Sequence, residues 1–304
     1  MNIAYLAVTH KNPKLLKKEI EALSYGNCEF FIHLDSKSDL SEFSDIQGKN
    51  IHFISRIPVY WGDYSVVEAI LSLLRYAVRA STKFDYCVLL SGSEYPLTSA
   101  GEVHSFLQQN QGAEYVSLTR VPNAEAGQSL ARFNRLVLSH ERSAMIRLGT
   151  RALAKLGLAQ RDYRRYLGDL NPYSGSTWWA LTNEACSYIL DFMERNPYLA
   201  QFFKDTFAPD ECLVHTILGN SRFAIRARRN LVYEDWSDSA ASPAMLNDRH
   251  VAFFETFGGM VIGHNVYGSG ELLFARKFSD ESLDLIGRID DMMARKKNLC
   301  NPGK

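Results

Sequence analysis

Short apolar runs alternate with amphipathic segments over the first 120 residues of the chain. Each run is continuous and brief, which is typical of a buried strand. Between the runs, apolar residues recur at the spacing of a helix face. This alternation predicts a parallel sheet whose strands are joined by helical crossovers. The predicted strands are 3–9, 28–35, 51–55, 85–92 and 114–118, and the predicted helices are 15–23, 66–80 and 101–110.

Polar side chains stand where four of these predicted strands end. They are Thr9 with His10, Asp35, Arg56, and the segment 91–94 (SGSE). Open parallel sheets bind ligands beyond the carboxyl ends of their strands, so we expect these residues to gather along one binding edge. His10 and His33 are interpreted as structural residues in preference to catalytic ones.

The second half of the chain departs from this alternation. Residues 121–170 are rich in arginine and are predicted to form surface helices over the binding edge. Two interpretations of this basic segment stay open, a solvated face or a patch that contacts an acceptor or a membrane surface. No linker divides the chain, which predicts a single domain. Regular structure resumes with YSGSTWWALT at 173–182, a helix at 183–195, FAPDECLVHTILGN at 207–220, a basic strand at 222–236 and a helix at 280–296.

Composition and charge narrow the class of protein. Among 304 residues, 34 Lys and Arg balance 34 Asp and Glu, so no global field favours nucleic acid or acidic polymers. The five cysteines show no paired spacing, which indicates a reducing compartment. The strand-like N-terminus does not resemble a signal peptide, and no apolar run of about 18 residues occurs. These features predict a cytoplasmic protein, with peripheral contact at the inner membrane face through 142–165 as an open possibility.

The familiar nucleotide and hydrolase motifs are absent from this sequence. It contains no GxxxxGK[ST] loop, no GxGxxG after the first strand, no GxSxG elbow and no HExxH. It also contains no Asp-x-Asp pair, and the adjacent aspartates at 290–291 offer poor chelate geometry. If the chain binds a diphosphate, basic side chains must neutralise it. The candidates are Arg276 with Lys277, or the segment 226–229 (RARR).

Glu211 is the most informative carboxylate of the chain. It follows Pro209 and Asp210, so it is predicted to lie in the first turn of a helix, beside the positive helix end. Two interpretations stay open, ordinary helix chemistry or a general base at the rim of a pocket. Several aromatic residues are likewise open between core packing and stacking on a sugar ring or base. They are Trp61, Trp178, Trp179, Tyr233 and Trp236.

Seven segments, taken in order, resemble the core-2/I-branching N-acetylglucosaminyltransferase and peptide O-xylosyltransferase family. The likeness covers nearly the whole chain, and it rests on the order and spacing of the segments, since no single motif decides it. The segments are FIHLDSKS, YWGDYSVVEAIL, YCVLLSGSEYPLTS, GSTWWALT, FAPDECLVHTIL, YEDWS and LLFARKF.

This resemblance implies an α/β fold of the GT-A type, a Rossmann-like mixed sheet with helices on both faces, in one domain, 1–304. It implies that 1–120 bind a nucleotide sugar and that 121–304 bind the acceptor and carry the catalytic residue. It further implies inversion at the anomeric carbon with Glu211 as general base. Arg276 and Lys277 match the basic motif that binds the donor diphosphate in place of a metal, so neither a metal nor another cofactor is expected.

The resemblance assigns further residues to the donor and the acceptor. Glu94 and Trp236 correspond to positions near the acceptor, although the family usually carries Asp where Glu94 stands. The donor positions are Val8 and Asp35 for the uridine, Val59, Tyr60 and Trp61 beside it, Thr177 and Trp178 around the sugar, and Ser242 near the diphosphate.

Departures from the family pattern bear on substrate and origin. Thr177 replaces an acidic residue of the xylosyltransferases, which favours UDP-N-acetylglucosamine over UDP-xylose as donor. The stretch between Ser242 and Arg276 is longer than expected. The chain looks like a bacterial relative that acts on a surface polysaccharide or a lipid-linked saccharide. The alternatives are a non-catalytic carbohydrate-binding relative and a metal-dependent nucleotide-sugar enzyme.

Overall fold

A seven-stranded mixed sheet forms the centre of the fold. The computed structural model describes residues 1–237, 242–257 and 261–300, apart from the side chains of Arg151, Val261 and 297–300. The strand order is β10-β6-β9-β4-β1-β2-β3. These strands are β1 (Asn2–Thr9), β2 (Asn27–Leu34), β3 (Ile51–Phe53), β4 (Tyr86–Leu90), β6 (Glu114–Tyr115), β9 (Ala180–Thr182) and β10 (Ala227–Arg228).

The predicted parallel half of the sheet is confirmed. β1 pairs in parallel with both β2 and β4, and β2 pairs in parallel with β3. β9 instead runs antiparallel to β4 and to β6, which makes the whole sheet mixed. The carboxyl ends of β1, β2 and β4 therefore meet at one edge, where Thr9 ends β1 and Asp35 and Ser91 follow β2 and β4.

Helices cover both faces of the sheet. One apolar core lies between the sheet and α2, α7, α8 and α9, and a second lies between the opposite face and α1 and α3. The long apolar stripe of α2 explains its position, since nine of its residues are buried. The helices are α1 (Pro13–Leu23), α2 (Tyr64–Arg79), α3 (Ala100–Gln109), α4 (Ala131–Asn134), α5 (Ala144–Lys155), α6 (Arg164–Leu167), α7 (Asn183–Arg195), α8 (Pro197–Lys204), α9 (Leu213–Gly219), α10 (Asp248–Thr256) and α11 (Leu283–Cys300).

A second, three-stranded sheet stands beside the first. It has the order β11-β14-β5, with β11 (Val232–Glu234), β14 (Phe274–Arg276) and β5 (Glu94–Pro96). β14 pairs in parallel with β11 and antiparallel with β5. A third core joins this sheet to α10 and α11. Two short pairs complete the strands, β7 (Thr119–Arg120) with β8 (Tyr173–Ser174), and β12 (Val261–Asn265) with β13 (Gly268–Leu272).

Three sequence-based expectations need correction. The predicted strand at 114–118 is reduced to the two residues of β6, which pairs with β9. Between β4 and β6 the chain passes through β5 of the second sheet and then through α3. The single basic strand expected at 222–236 is wrong, since β10 and β11 belong to different sheets. The helix expected at 280–296 begins at Leu283, after a 3-10 turn at Asp280–Ser282. Among the described residues, no helix is long and apolar enough to span a bilayer.

Candidate active site

Glu211 lies at the end of a single 3-10 turn, Pro209–Glu211, which precedes α9. The expected α-helical first turn is therefore a tighter turn, and the α-helix begins two residues later. Ala208 enters this turn with a left-handed backbone (φ 47°), which is uncommon for a residue with a side chain. Its amide donates to the carbonyl of Gly62 at 2.9 Å, so the turn is tied to the loop that precedes α2.

A close backbone approach fixes Glu211 from the other side. The amide of Gly175 donates to the carbonyl of Glu211 at 3.0 Å. A Cβ at Gly175 would lie 1.6 Å from the carbonyl oxygen of Ser117, so only glycine fits there. The YSGSTWWALT segment therefore needs its glycine to pass beside the turn that holds Glu211.

The carboxylate of Glu211 is paired with a cation. Nη1 of Arg132, on α4, donates to its Oε2 at 2.6 Å. The Glu211 side chain remains 35% exposed, so a ligand can reach it. Burial raises the pKa of Glu211, the Arg132 charge opposes that rise, and the neighbouring Asp210 reinforces it. The result is a carboxylate that is more basic than an ordinary glutamate and still accessible, as a general base requires.

A short run of contacts joins this carboxylate to the predicted donor residues. Asp210 accepts a hydrogen bond from the hydroxyl of Thr177 at 2.8 Å, and burial raises the pKa of Asp210. The next residue, Trp178, lies under the guanidinium of Arg276, whose central carbon is 4.4 Å from the ring centroid. Glu211 and Arg276 are thus brought to one site through neighbouring residues.

Arg276 is buried between two carboxylates, and the three form what we call the Arg276 triad. Its Nε lies 2.8 Å from Oε1 of Glu94, and its Nη1 donates to Oε1 of Glu234 at 3.0 Å. The strand register explains the grouping, since Arg276 of β14 is the direct partner of both Glu94 and Glu234. Glu94 was expected near the acceptor, but it is fully buried and also accepts hydrogen bonds from Ser91. Its carboxylate contacts Arg276 in this structure, so any influence on the acceptor acts through that residue.

Lys277 is half-buried and follows the triad directly. Burial lowers the pKa of its ammonium group, and the adjacent Arg276 lowers it further. Within the described part of the chain, its side chain has no ion-pair partner. The other basic candidate, 226–229, is partly neutralised, because Arg226 is paired with Glu114 and Glu184.

Asp35 lies at the end of β2 and is already engaged. Burial alone would raise the pKa of Asp35, but hydrogen bonds from Lys37 lower it below its usual value. The ammonium of Lys37 is 2.6 Å from the carboxylate, also donates to the carbonyl of Val59, and lies 4.3 Å from the ring centroid of Tyr60. Val8 is half-buried in β1. Asp35, Val59 and Tyr60 therefore meet around Lys37, a residue that no sequence pattern singled out.

The remaining aromatic predictions divide between surface and core. Trp61 is 71% exposed and meets Phe207 edge to face, at 5.4 Å between ring centroids. Trp236 and Ser242 are exposed. Trp179 is not a site residue, since its ring is buried in the first core. His33 is structural as expected, because its Nε2 accepts from the amide of Ile57 at 3.1 Å.

The longer stretch before Arg276 contains the β12–β13 hairpin. Burial raises the pKa of Tyr267, at its tip, the charge of Glu211 raises that pKa further, and an interaction with the Gln128 side chain lowers it. No local motif pointed to Arg132, because it reaches Glu211 from a segment distant in the chain. Among the described residues, no group of three His, Cys, Asp or Glu side chains is arranged to hold a metal ion.

Comparisons with known proteins place the chain in a family. The sequence profile of the family described as Core-2/I-Branching enzyme matches residues 3–260. Human xylosyltransferase 2 is 27% identical over 234 residues, which are 73% of this chain and 25% of that protein. A human beta-1,3-galactosyl-O-glycosyl-glycoprotein beta-1,6-N-acetylglucosaminyltransferase is 24% identical over 223 residues, which are 71% of this chain and 48% of that protein.

The chain therefore spans between about a quarter and a half of these curated relatives. The match includes Glu211 and its surroundings, and it ends before β14, so the position of Arg276 and Lys277 rests on the structure alone. The profile covers well over half of the sequence. This protein belongs to the Core-2/I-Branching enzyme family.

Proposed function

We propose that this protein is an inverting glycosyltransferase that moves a sugar from a UDP-sugar to an acceptor hydroxyl without a metal ion. The observation that carries the proposal is the arrangement around Trp178. An accessible glutamate of raised basicity, Glu211, is linked through its neighbour Asp210, Thr177 and Trp178 to Arg276, which precedes Lys277 in the chain. Transfer of a sugar from a diphosphate to a hydroxyl needs a base for the proton of the hydroxyl and a cation for the charge on the departing diphosphate.

Glu211 acts on the acceptor in this scheme. Its carboxylate takes the proton of the acceptor hydroxyl while that oxygen forms the new bond to the anomeric carbon. The bond from the anomeric carbon to the phosphate oxygen breaks on the opposite face, and UDP leaves with the electron pair. Arg132 keeps Glu211 oriented and ionised until the acceptor arrives, because its guanidinium donates to the carboxylate.

The basic pair acts on the leaving group. Arg276 is largely neutralised by Glu94 and Glu234, whereas Lys277 has no carboxylate partner in the described residues. We therefore assign the direct contact with the diphosphate to Lys277, and to Arg276 a supporting role that orders the site. A cation at this position stabilises the charge that develops on UDP, the task that a divalent metal performs in other enzymes.

The donor sugar is proposed from the relatives and from Thr177. The relatives are named as a xylosyltransferase and as an N-acetylglucosaminyltransferase, so both sugars are candidates. Thr177 lies beside Asp210 and presents a hydroxyl in place of the acidic residue of the xylosyltransferases. We therefore favour UDP-N-acetylglucosamine, with UDP-xylose next, and a β linkage in the product.

Release of UDP from a panel of UDP-sugars, with and without EDTA, tests the proposal. We expect one donor to release UDP at a rate that EDTA leaves unchanged. Activity that EDTA removes and Mn²⁺ restores would assign the chain to metal-dependent enzymes. Glycan binding with no UDP release from any donor would assign it to carbohydrate-binding proteins. Glu211→Gln should lower the rate of release by roughly 10²–10⁴-fold while UDP still binds, which separates catalysis from donor binding.

A further inference from the structure

A cavity of about 450 Å³ lies between α4 and α5, within the range of small-molecule sites. Arg132 forms part of its wall, and the same Arg132 contacts Glu211, so the cavity borders the proposed base. None of the functions assigned above uses it. Its lining is mainly apolar, with three arginines, and consists of Ala131, Arg132, Arg135, Leu136, Val137, Leu138, Arg147, Thr150, Ala154 and Phe207.

Helix α5 forms one wall of this cavity without packing tightly. Its inward positions Arg147, Thr150 and Ala154 line the cavity and are only half-buried. None of the described side chains of α5 is fully buried, in contrast to those of α2. On its outer side Met145 is 85% exposed and Leu148 is 69% exposed. A helix that is apolar on the outside and lines an apolar space inside suits a hydrocarbon environment.

The charged side chains of the cavity indicate that its ligand also carries an anionic group. Arg135 and Arg147 have no ion pair among the residues that the structure describes, and Nε of Arg147 is buried without a hydrogen-bond partner. Arg132 differs, since Glu211 neutralises it. Unpaired guanidinium groups beside apolar walls complement a phosphate attached to a hydrocarbon chain.

We propose that the α4–α5 cavity binds the lipid-phosphate portion of the acceptor, so that the acceptor is a saccharide carried on a phosphorylated hydrocarbon chain. The hydrocarbon lies against Leu136, Leu138 and Ala154, and the phosphate lies against Arg147. The saccharide then extends past Arg132 to Glu211. The identification of this ligand as the acceptor rests on the proposed function. Binding of a lipid phosphate in the cavity can be measured without turnover.

Calorimetric titration with three probes tests the site directly. The probes are n-octyl phosphate, n-octyl β-D-glucoside below its critical micelle concentration, and inorganic phosphate. Each methylene taken from water tightens binding roughly fourfold. Two or three buried methylenes should therefore make octyl phosphate bind at least about tenfold more tightly than inorganic phosphate. Arg147→Gln should weaken octyl phosphate and leave octyl glucoside unchanged.

Substitutions on α5 supply the matched control. Ala154→Phe fills the cavity and should weaken octyl phosphate at least about tenfold, whereas Ala152→Phe, on the exposed side of the same helix, should not. Thr150→Trp repeats the test if Ala154→Phe unfolds. Equal binding of octyl phosphate and inorganic phosphate would overturn the proposal. Equal binding of octyl phosphate by the Ala154→Phe and Ala152→Phe variants would overturn it as well.

Two further results distinguish this inference from the proposed function and from binding of a membrane lipid. If octyl phosphate binds as expected but no UDP-sugar is turned over, the proposed function fails and the binding site stands. If Ala154→Phe abolishes binding to phosphatidylglycerol vesicles, the cavity holds a membrane lipid and the acceptor assignment is overturned. Vesicle binding that survives Ala154→Phe supports the assignment, because the outer apolar face of α5 then suffices for membrane contact.

Discussion

Arg276 and Lys277 are neighbours in the chain, and we expect their replacement by alanine to affect different properties, stability in one case and UDP binding in the other. Arg276 is buried between Glu94 and Glu234, so its loss leaves two carboxylates without their counter-charge. Lys277 is half-buried and has no ion pair in the described residues, so its loss leaves nothing uncompensated. Arg276→Ala should therefore destabilise the fold, and Lys277→Ala should mainly weaken UDP binding.

The magnitudes follow from burial. Removing one partner of a buried ion pair costs about 3–5 kcal/mol. At roughly 2–4 °C per kcal/mol, Arg276→Ala should lower Tm by about 6–20 °C. Lys277→Ala should change the free energy of unfolding by less than about 0.5 kcal/mol. A hydrogen bond to a charged group contributes about 1.5–3 kcal/mol, so Lys277→Ala should weaken UDP binding by about 10- to 150-fold.

Thermal unfolding and calorimetric titration with UDP measure the two effects separately. Arg288→Ala is the matched control, because Arg288 also contacts two carboxylates, Asp248 and Glu255, each at 2.8 Å, but is 38% exposed. Such surface pairs contribute about 0–1 kcal/mol. If Arg276→Ala melts like Arg288→Ala, the reasoning about the buried triad is refuted. If Lys277→Ala binds UDP like the wild type, Lys277 does not contact the diphosphate.

Three more predictions concern the base and its support. Glu211→Gln should lower kcat by roughly 10²–10⁴-fold with unchanged UDP affinity, and near-normal turnover would remove Glu211 from the role of base. Because burial raises the pKa of Glu211, activity should be lost as pH falls through that raised pKa. Arg132→Gln removes the opposing charge and should move the acidic limb of kcat/KM to higher pH, whereas an unmoved limb would mean that another group titrates. Gly175→Ala should lower the free energy of unfolding by about 1–3 kcal/mol, because a Cβ there meets the carbonyl of Ser117. The control Gly149→Ala, in open space on α5, should be neutral or stabilising by up to about 1 kcal/mol. Similar Tm values for the two variants would contradict the close approach of Gly175 to Ser117.

The parallel half of the sheet was predictable because each strand is a local pattern. The apolar run 3–9 and the amphipathic run 66–80 each indicate an element without reference to the rest of the chain. The course of the chain after β4 was not predictable in this way. Ser91 to Glu94 resemble the end of a strand, but Glu94 begins β5 in the second sheet, and only pairing with β14 decides that.

In the candidate site, too, the sequence predicted what a local motif marks and did not predict what depends on the fold. Glu211 was identified from a local motif, and its pairing with a basic residue needed the fold, because Arg132 lies in a segment that sequence reasoning treated as a basic surface. Likewise, Glu94 looked accessible as a polar residue at a strand end. Its burial follows from register with Arg276, which no spacing in the sequence reveals.

The register of the second sheet has a consequence for the evolution of this chain. β11 and β14 are adjacent parallel strands, so the connection at 235–273 crosses over from the carboxyl end of β11 to the amino end of β14. The entropy of closing a loop grows only slowly with its length. That connection can be lengthened or exchanged between homologues while Glu234 and Arg276 stay opposite each other. Insertions in this connection can therefore reshape the surface beside the site while the Arg276 triad stays unchanged.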